Sequence, residues 1–224
     1  MKSFAFDFHG LELQARASGA LWWAEGAMLV VSDLHLGKSE RMARRGGALL
    51  PPYESRATLE RLAREMDALS PRHVISLGDG FDDNAAAEAL DDDIGGLLSA
   101  LAKGVDWVWI TGNHDPVAPG QHLPGRSLTA LQIGDVILRH EAMPNERPDI
   151  SGHFHPVVRL AGTRMRAFLI DACHLLMPAF GTYTGGLINN DDAIARIFTK
   201  GIAVASCGNR VYPFPYGHKN QLRY

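Results

Sequence analysis

Four short apolar runs, each followed at once by polar residues, constrain the fold of this chain most strongly. Continuous apolar runs of this length are typical of strands that are buried on both faces of a sheet. The polar residues that follow such strands lie at the carboxyl edge, where open α/β folds build their sites. The pattern therefore predicts an α/β fold with functional side chains gathered at one sheet edge. The runs are residues 27–31, 73–77, 107–110 and 136–138.

The segments between and after these runs predict helices and a second sheet. Apolar residues at three-to-four-residue spacing predict a helix over 53–69, and a second helix is expected from about 84 to 101. Residues 3–17 alternate loosely and predict a hairpin that turns at His9-Gly10. After residue 135 short strands follow one another with little helix, which favours a second sheet packed on the first. These strands are expected at 135–140, 148–154, 165–171 and 201–207.

Length and charge narrow the class of protein. The 224 residues fit one α/β domain spanning 1–224, and the net charge of −3 gives no overall attraction to nucleic acid. No apolar stretch approaches the roughly 18 residues that span a bilayer, and the N-terminus lacks a signal-peptide core. Two cysteines are too few for a disulfide framework, so a cytoplasmic protein without a membrane partner is expected.

Five polar segments carry side chains that bind metals. They are Ser32–His35, Gly78–Asp79, Gly112–Asp115, Arg139–Glu141 and Gly152–His155. Their carboxylate, amide and imidazole groups suit Mn²⁺, iron or Zn²⁺, and they lack the thiolates of a structural zinc site. Paired cations of this kind catalyse the hydrolysis of phosphate esters. The candidate ligands are Asp33, His35, Asp79, Asn113, His140, His153 and His155.

Spacing suggests how these ligands are arranged. Asp33 and His35 are two residues apart, so in an extended segment both point to the same side. The same argument places His153 and His155 on one face. One carboxylate must bridge two metals, and Asp79 is the natural candidate because it is alone on its loop.

The order D-x-H, G-D, G-N-H-D, His, G-H-x-H resembles the calcineurin-like metallophosphoesterase superfamily. The resemblance implies a four-layered αββα sandwich with two mixed sheets. It also implies that Asp79 joins Asp33, His35 and His155 around one metal. The second metal would then be held by Asp79, Asn113, His140 and His153. By the same resemblance His114 contacts the phosphate and assists the leaving group, while Asp115 orients the His114 ring.

A narrower resemblance concerns the segments around the metal motifs. LVVSDLHLGKSERMARRGGALLP, the RHEA around His140 and MPAFGTYTGG are similar to bacterial ligase-associated DNA-damage-response endonucleases or phosphodiesterases. This similarity implies a DNA phosphodiester substrate, a role in repair, Mn²⁺ as the metal, and a DNA ligase and a helicase as functional partners. Gly80 departs from the usual pattern of an apolar residue there, which leaves the roles of Asp82 and Asp83 open.

Other functions stay possible at this stage. One is a nucleotide or lipid-pathway pyrophosphate hydrolase, such as a UDP-diacylglucosamine pyrophosphatase, and another is a phosphomonoesterase. The lipid-pathway enzymes share the SDLHLG opening but are expected to carry an arginine near the third or last motif, where this chain has GNHDP and GHFHP. A scaffold that has lost its metals is disfavoured because the ligand set is complete.

Two further segments are candidates for contact with the site. A basic cluster immediately follows the first motif and either contacts the substrate or forms a solvated helix face. Residues 181–186, GTYTGG, predict a turn whose backbone passes close to the site. The basic cluster consists of Lys38, Arg41, Arg44 and Arg45.

Overall fold

Two mixed β-sheets packed face to face form the centre of the fold. The computed structural model describes residues 1–47, 51–88, 90–114, 123–144, 148–160, 162–187 and 192–217. Within these ranges one sheet has seven strands and the other has eight. An α/β architecture with two mixed sheets was predicted, and this prediction is confirmed.

The first sheet follows the chain order from β1 to β7. Neighbouring strands are antiparallel from β1 to β4 and parallel from β4 to β7. The hairpin between β1 and β2 turns at His9 and Gly10, as predicted, and both have positive φ. The strands are β1 (Ser3–Phe8), β2 (Leu11–Arg16), β3 (Leu21–Trp23), β4 (Met28–Val31), β5 (His73–Leu77), β6 (Asp106–Ile110) and β7 (Arg126–Leu128).

The second sheet has the order β15-β14-β12-β13-β10-β9-β8, and β11 pairs with β12 beside this path. Its parallel pairs are β9 with β10 and β10 with β13. The strands are β8 (Ala130–Ile133), β9 (Val136–Arg139), β10 (Asp149–Ser151), β11 (Val157–Leu160), β12 (Thr163–Ile170), β13 (His174–Leu176), β14 (Lys200–Cys207) and β15 (Arg210–Gly217).

Helices cover the outer faces of both sheets and complete the αββα layering. Alternate residues of β12 point to opposite faces, so Phe168 packs between the sheets while Leu169 packs outward. Helices α2 (Glu54–Leu69) and α4 (Asp92–Ala102) cover the first sheet, where Leu59 and Leu98 are fully buried. Helix α5 (Asp192–Ile197) packs on the second sheet. The remaining helices are α1 (Lys38–Arg44) and α3 (Asn84–Glu88).

The single helix predicted over 84–101 is wrong, because α3 and α4 are separate. Gly95 and Gly96 do not cause the break, since both lie inside α4. Asp91 instead begins a new helix: its carboxylate accepts a hydrogen bond from the Asp93 amide at 2.9 Å. No helix in the described part of the chain is long and apolar enough to cross a membrane.

Candidate metal centre

Five of the seven predicted ligands have backbone conformations in the left-handed region. Their φ values are 51° at Asp33, 46° at His35, 44° at Asp79, 64° at His153 and 44° at His155. The expectation of an extended segment after β4 is therefore wrong. Such a conformation costs a non-glycine residue about 1–3 kcal/mol, and residues of this kind cluster at functional sites.

The first donor cluster consists of Asp33, His35 and His155, whose ligand atoms all lie within 4.8 Å of one another. His155 Nε2 lies 3.0 Å from Asp33 Oδ1. The Asp33 carboxylate is fully buried and accepts hydrogen bonds from the Ser32 hydroxyl and the His153 amide. Burial alone would raise the pKa of Asp33, but His155, His140 and Ser32 outweigh it and lower the pKa below its usual value. Asp33 is thus held as a carboxylate.

The second donor cluster consists of Asp79, Asn113, His140 and His153. The side-chain oxygen of Asn113 lies 2.8 Å from His140 Nε2 and 2.9 Å from His153 Nδ1. These two ring nitrogens are 3.1 Å apart. Burial and the neighbouring His140 lower the pKa of His153, which favours the neutral imidazole that binds metals. His153 and His155 therefore belong to different clusters instead of sharing one face.

Asp79 lies between the two donor clusters. Its Oδ2 atom is 3.9 Å from His35 Nε2 and 3.5 Å from His140 Nε2. Its Oδ1 atom accepts the His114 backbone amide at 2.9 Å. Asp79 therefore has the position that a bridging carboxylate requires.

The hydrogen-bonding pattern of both clusters fits cations. His35 Nε2 is buried without a hydrogen bond to any described residue, and His155 Nε2 faces the Asp33 carboxylate. In the second cluster His140 Nδ1 donates to the Leu77 carbonyl at 3.0 Å, which leaves Nε2 as an acceptor facing other acceptors. Acceptors that converge in this way are unfavourable without a positive charge among them.

Two glycines let the segments approach closely enough to form the clusters. A Cβ atom at Gly152 would overlap Ser32 and Asp33, and one at Gly78 would overlap the His140 ring. Close packing thus requires glycine in both the G-D and the G-H-x-H motif, and at Gly78 the positive φ of 70° requires it as well.

His114 is oriented from its backbone and from one side of its ring. Its amide donates to Asp79, and its Nδ1 lies 3.0 Å from the Asp82 carbonyl oxygen. Donation from Nδ1 leaves Nε2 available for another partner. The ring packs edge-on to His35, with centroids 5.1 Å apart. Asp115 lies outside the described residues, so its role stays a prediction.

Asp82, whose role the sequence left open, contacts the first donor cluster through His35. Its buried carboxylate lies 2.9 Å from His35 Nδ1, 2.7 Å from Arg41 Nη1 and 3.6 Å from Lys38 Nζ. Burial would raise the pKa of Asp82, but these three partners hold it far below its usual value. Asp82, His35 and His114 could themselves surround an ion, but Lys38 and Arg41 already neutralise Asp82.

The basic cluster lies on and just after α1, beside the first donor cluster, as its sequence position suggests. Its residues are nevertheless paired with carboxylates. Arg44 contacts Glu40 and Asp83, at 3.0 and 2.9 Å, and Arg45 Nη2 lies 3.4 Å from Asp83. Contact with the substrate stays a prediction for these four residues, and it requires partial release of those ion pairs.

The segment 181–186 lies beside the first donor cluster. The Gly181 amide donates to the Asp33 carbonyl at 3.0 Å, and Gly186 packs against the His155 carbonyl. This is the close backbone approach that the glycines predict.

Comparison with known proteins identifies the family of this chain. The sequence profile of the calcineurin-like phosphoesterases matches residues 27–172. The crystal structure of Pseudomonas putida nuclease MPE is 27% identical, with a TM-score of 0.75, and the match covers 95% of this chain and 100% of that one. Comparison with curated protein sequences gives no match.

Two more distant structures also match. Yfce, a phosphoesterase from E. coli, is 16% identical, with a TM-score of 0.41, over 71% of this chain and 83% of that one. A predicted phosphoesterase from Streptococcus pneumoniae is 15% identical, with a TM-score of 0.35, over 84% and 97%. The profile match spans more than half of the chain, so the chain belongs to the calcineurin-like phosphoesterases and is a hydrolase that acts on phosphoester bonds.

Proposed function

We propose that this protein is a dinuclear-metal-dependent phosphodiester hydrolase that cleaves DNA during repair. The observation that carries the proposal is the pair of donor clusters on either side of Asp79. A single ion would leave one cluster of converging acceptors uncompensated. Two ions that share one carboxylate satisfy both.

The proposed ligands divide as the resemblance implies. Asp33, His35, Asp79 and His155 would hold one ion. The other ion would be held by Asp79, Asn113, His140 and His153. When bound, two such ions lower the pKa of a water and stabilise negative charge on the phosphoryl oxygens. Mn²⁺ is proposed as the metal, with iron or Zn²⁺ as alternatives that the same donors accept.

His114 is proposed to act on the phosphate and on the leaving oxygen. Its Nδ1 is occupied by the Asp82 carbonyl and its amide by Asp79, so the ring has a fixed orientation. A protonated Nε2 donates a hydrogen bond to a phosphoryl oxygen, and the same proton can pass to the departing oxygen. In this scheme Asp82 positions His35 and His114 and does not contact the substrate.

Two observations favour DNA as the substrate. The match to the P. putida nuclease covers nearly the whole of both chains. The cations of α1 also lie next to the donor clusters, where the phosphates of an extended chain would run. A nucleotide or lipid-pathway pyrophosphate hydrolase and a phosphomonoesterase are the competing functions. Partnership with a ligase and a helicase, and a cytoplasmic location, are proposed on the sequence resemblance alone.

A substrate panel with Mn²⁺ separates these functions. We expect hydrolysis of a bis-aryl phosphodiester and cleavage of both end-labelled linear and circular single-stranded DNA. Cleavage of the linear form alone would indicate an exonuclease. Hydrolysis of the small diester without cleavage of either DNA would contradict the DNA substrate while keeping the phosphodiesterase. A preference for an aryl monoester or a nucleoside diphosphate-sugar would favour the alternatives.

A further inference from the structure

An exposed tyrosine occupies a strained turn beside the first donor cluster. Tyr183 is 48% exposed and has a φ of 58°. An aromatic residue rarely adopts the left-handed region, because its Cβ crowds the backbone there. The Tyr183 side chain gains little from burial that would offset this strain. Strained residues of this kind cluster at functional sites.

Bonds on both sides of Tyr183 fix the turn to the site. The Thr182 amide donates to Thr58 Oγ1 at 2.9 Å, and the two threonine hydroxyls lie 3.1 Å apart. Before Tyr183 in the chain, the Gly181 amide donates a hydrogen bond to the Asp33 carbonyl. After it, Gly186 packs on the His155 carbonyl. Tyr183 therefore stands on a segment that is attached at both ends to residues of the first donor cluster.

Two partly buried arginines lie at the base of this turn, and the Arg61 guanidinium lies 4.5 Å from the centre of the Phe180 ring. Arg61 and Arg166 both donate to the Phe180 carbonyl, and Arg166 Nη2 also donates to the Gly181 carbonyl at 2.6 Å. Neither arginine forms an ion pair with a carboxylate of the described residues. Burial lowers the pKa of both, and with the nearby charges of Arg166 and Arg64 it brings the pKa of Arg61 to about 10. Two adjacent guanidinium groups favour an anion nearby.

We propose that Tyr183 stacks on a nucleobase next to the scissile phosphate, with Arg61 and Arg166 attracting the adjoining phosphates electrostatically. An exposed ring on a turn that is held by two arginines, neither paired with a carboxylate of the described residues, has the composition of a single-stranded nucleic-acid platform. The proposal rests on the proposed function, since it takes the substrate to be a nucleic acid. It makes Tyr183 a residue through which the same site prefers substrates that carry a nucleobase.

Binding without catalysis tests this proposal. The probe is a short single-stranded oligonucleotide containing 2-aminopurine, titrated into the protein in EDTA at low salt, with quenching as the readout. Tyr183→Ala should weaken binding about fivefold or more, the usual loss for one stacked base. Tyr183→Phe should bind like the wild type. Tyr212→Ala is the matched control, because Tyr212 is 41% exposed on β15.

An abasic oligonucleotide of the same length separates stacking from a change in the fold. With this probe, Tyr183→Ala and the wild type should bind equally. Tyr183→Gly should raise Tm, by roughly 2 °C, since glycine relieves the strain, while losing the same affinity as Tyr183→Ala. Equal binding of the base-containing probe by Tyr183→Ala and the wild type, or no base-dependent binding by the wild type, would overturn the proposal. Because no hydrolysis is involved, neither result depends on the proposed catalytic function.

Discussion

The two donor clusters differ in how far they are enclosed. In the first, Asp33 is fully buried, and the His155 side chain is only 18% exposed. In the second, the His153 side chain is 30% exposed and Asn113 is exposed. The first cluster is thus built as a closed site, and the second faces solvent. We infer that an ion held by the second cluster exchanges more readily than an ion held by the first.

The residues that contact the ligands and hold them in place also differ between the two clusters. Charged and hydroxyl side chains, Asp82 and Ser32, hold the first cluster. The second is held by the Leu77 carbonyl behind His140. One centre thus combines a half that is supported by buried charge with a half in which a backbone carbonyl orients His140 and the exposed Glu141 lies 3.9 Å from His153 Nε2.

The largest effect is expected at Asp79, which both clusters share. Asp79→Asn removes the charge between the ions, so both should be lost and hydrolysis of a bis-aryl phosphodiester should fall by about three orders of magnitude or more. Metal analysis after gel filtration and initial rates measure the change. Asp7→Asn, on β1 beside the β1–β2 turn, is the control and should retain both ions. Near-normal activity of Asp79→Asn would contradict a shared carboxylate.

Removing one histidine from each cluster should have different effects, because the two clusters differ in how far solvent reaches them. His153→Ala opens a cluster that solvent already reaches, so a water can replace the imidazole and excess Mn²⁺ should restore much of the activity. His155→Ala leaves a cavity beside buried Asp33, and excess Mn²⁺ should restore little. Metal titrations followed by activity give the comparison. Equal rescue of the two variants would remove the proposed contrast between a closed and an open cluster.

Asp82→Asn should lower the metal affinity of the first donor cluster, with a smaller effect than the loss of a ligand. It keeps the shape of the side chain but removes the charge that faces His35, Lys38 and Arg41. Loss of a partner behind a ligand lowers metal affinity or activity about 10–100-fold. The readout is the Mn²⁺ concentration at half-maximal activity. Asp83→Asn is the matched control, since Asp83 contacts arginines but no donor cluster.

The smallest effect is expected at His174, remote from both clusters. Its hydrogen bond to Asp149, at 3.1 Å, raises the pKa of His174 although burial opposes the shift. The stabilisation is therefore fully present below the ordinary pKa of about 6.5 and is lost as pH rises through the higher folded value. His174→Gln should cost about 1 kcal/mol of unfolding free energy at pH 6 and less at pH 9. Denaturant unfolding in EDTA at the two pH values measures this, and a cost that grows with pH would contradict it.

Local sequence was sufficient to predict much of the fold and the donor residues. The buried strands β4, β5 and β6 are apolar runs, and each donor residue follows a strand end within a few positions. The start of a new helix at Asp91 could have been predicted too. An aspartate whose carboxylate can accept a hydrogen bond from the backbone amide two residues later is a typical N-cap. The left-handed turns at Asp33 and His35 could not, because aspartate and histidine adopt this region more often than most residues but rarely enough that their presence does not predict it.

Contacts between distant segments explain the rest. Arg41 and Asp82 are 41 residues apart, and only the packing of α1 against the loop after β5 brings them together. The sequence therefore showed a basic cluster without its acidic partners. The anchoring of Tyr183 likewise depends on Thr58, 124 residues from Thr182. Such pairings arise from tertiary packing, which spacing along the chain does not encode.

The most direct test of the two-cluster account is a crystal structure of the Mn²⁺-loaded protein with anomalous scattering. The account predicts two peaks about 3.5–4 Å apart, with Asp79 between them. The peak beside Asp33 and His155 should have full occupancy, and the peak beside His140 and His153 should be equal or lower. A single peak, or a peak enclosed by His35, Asp82 and His114 instead, would contradict the account.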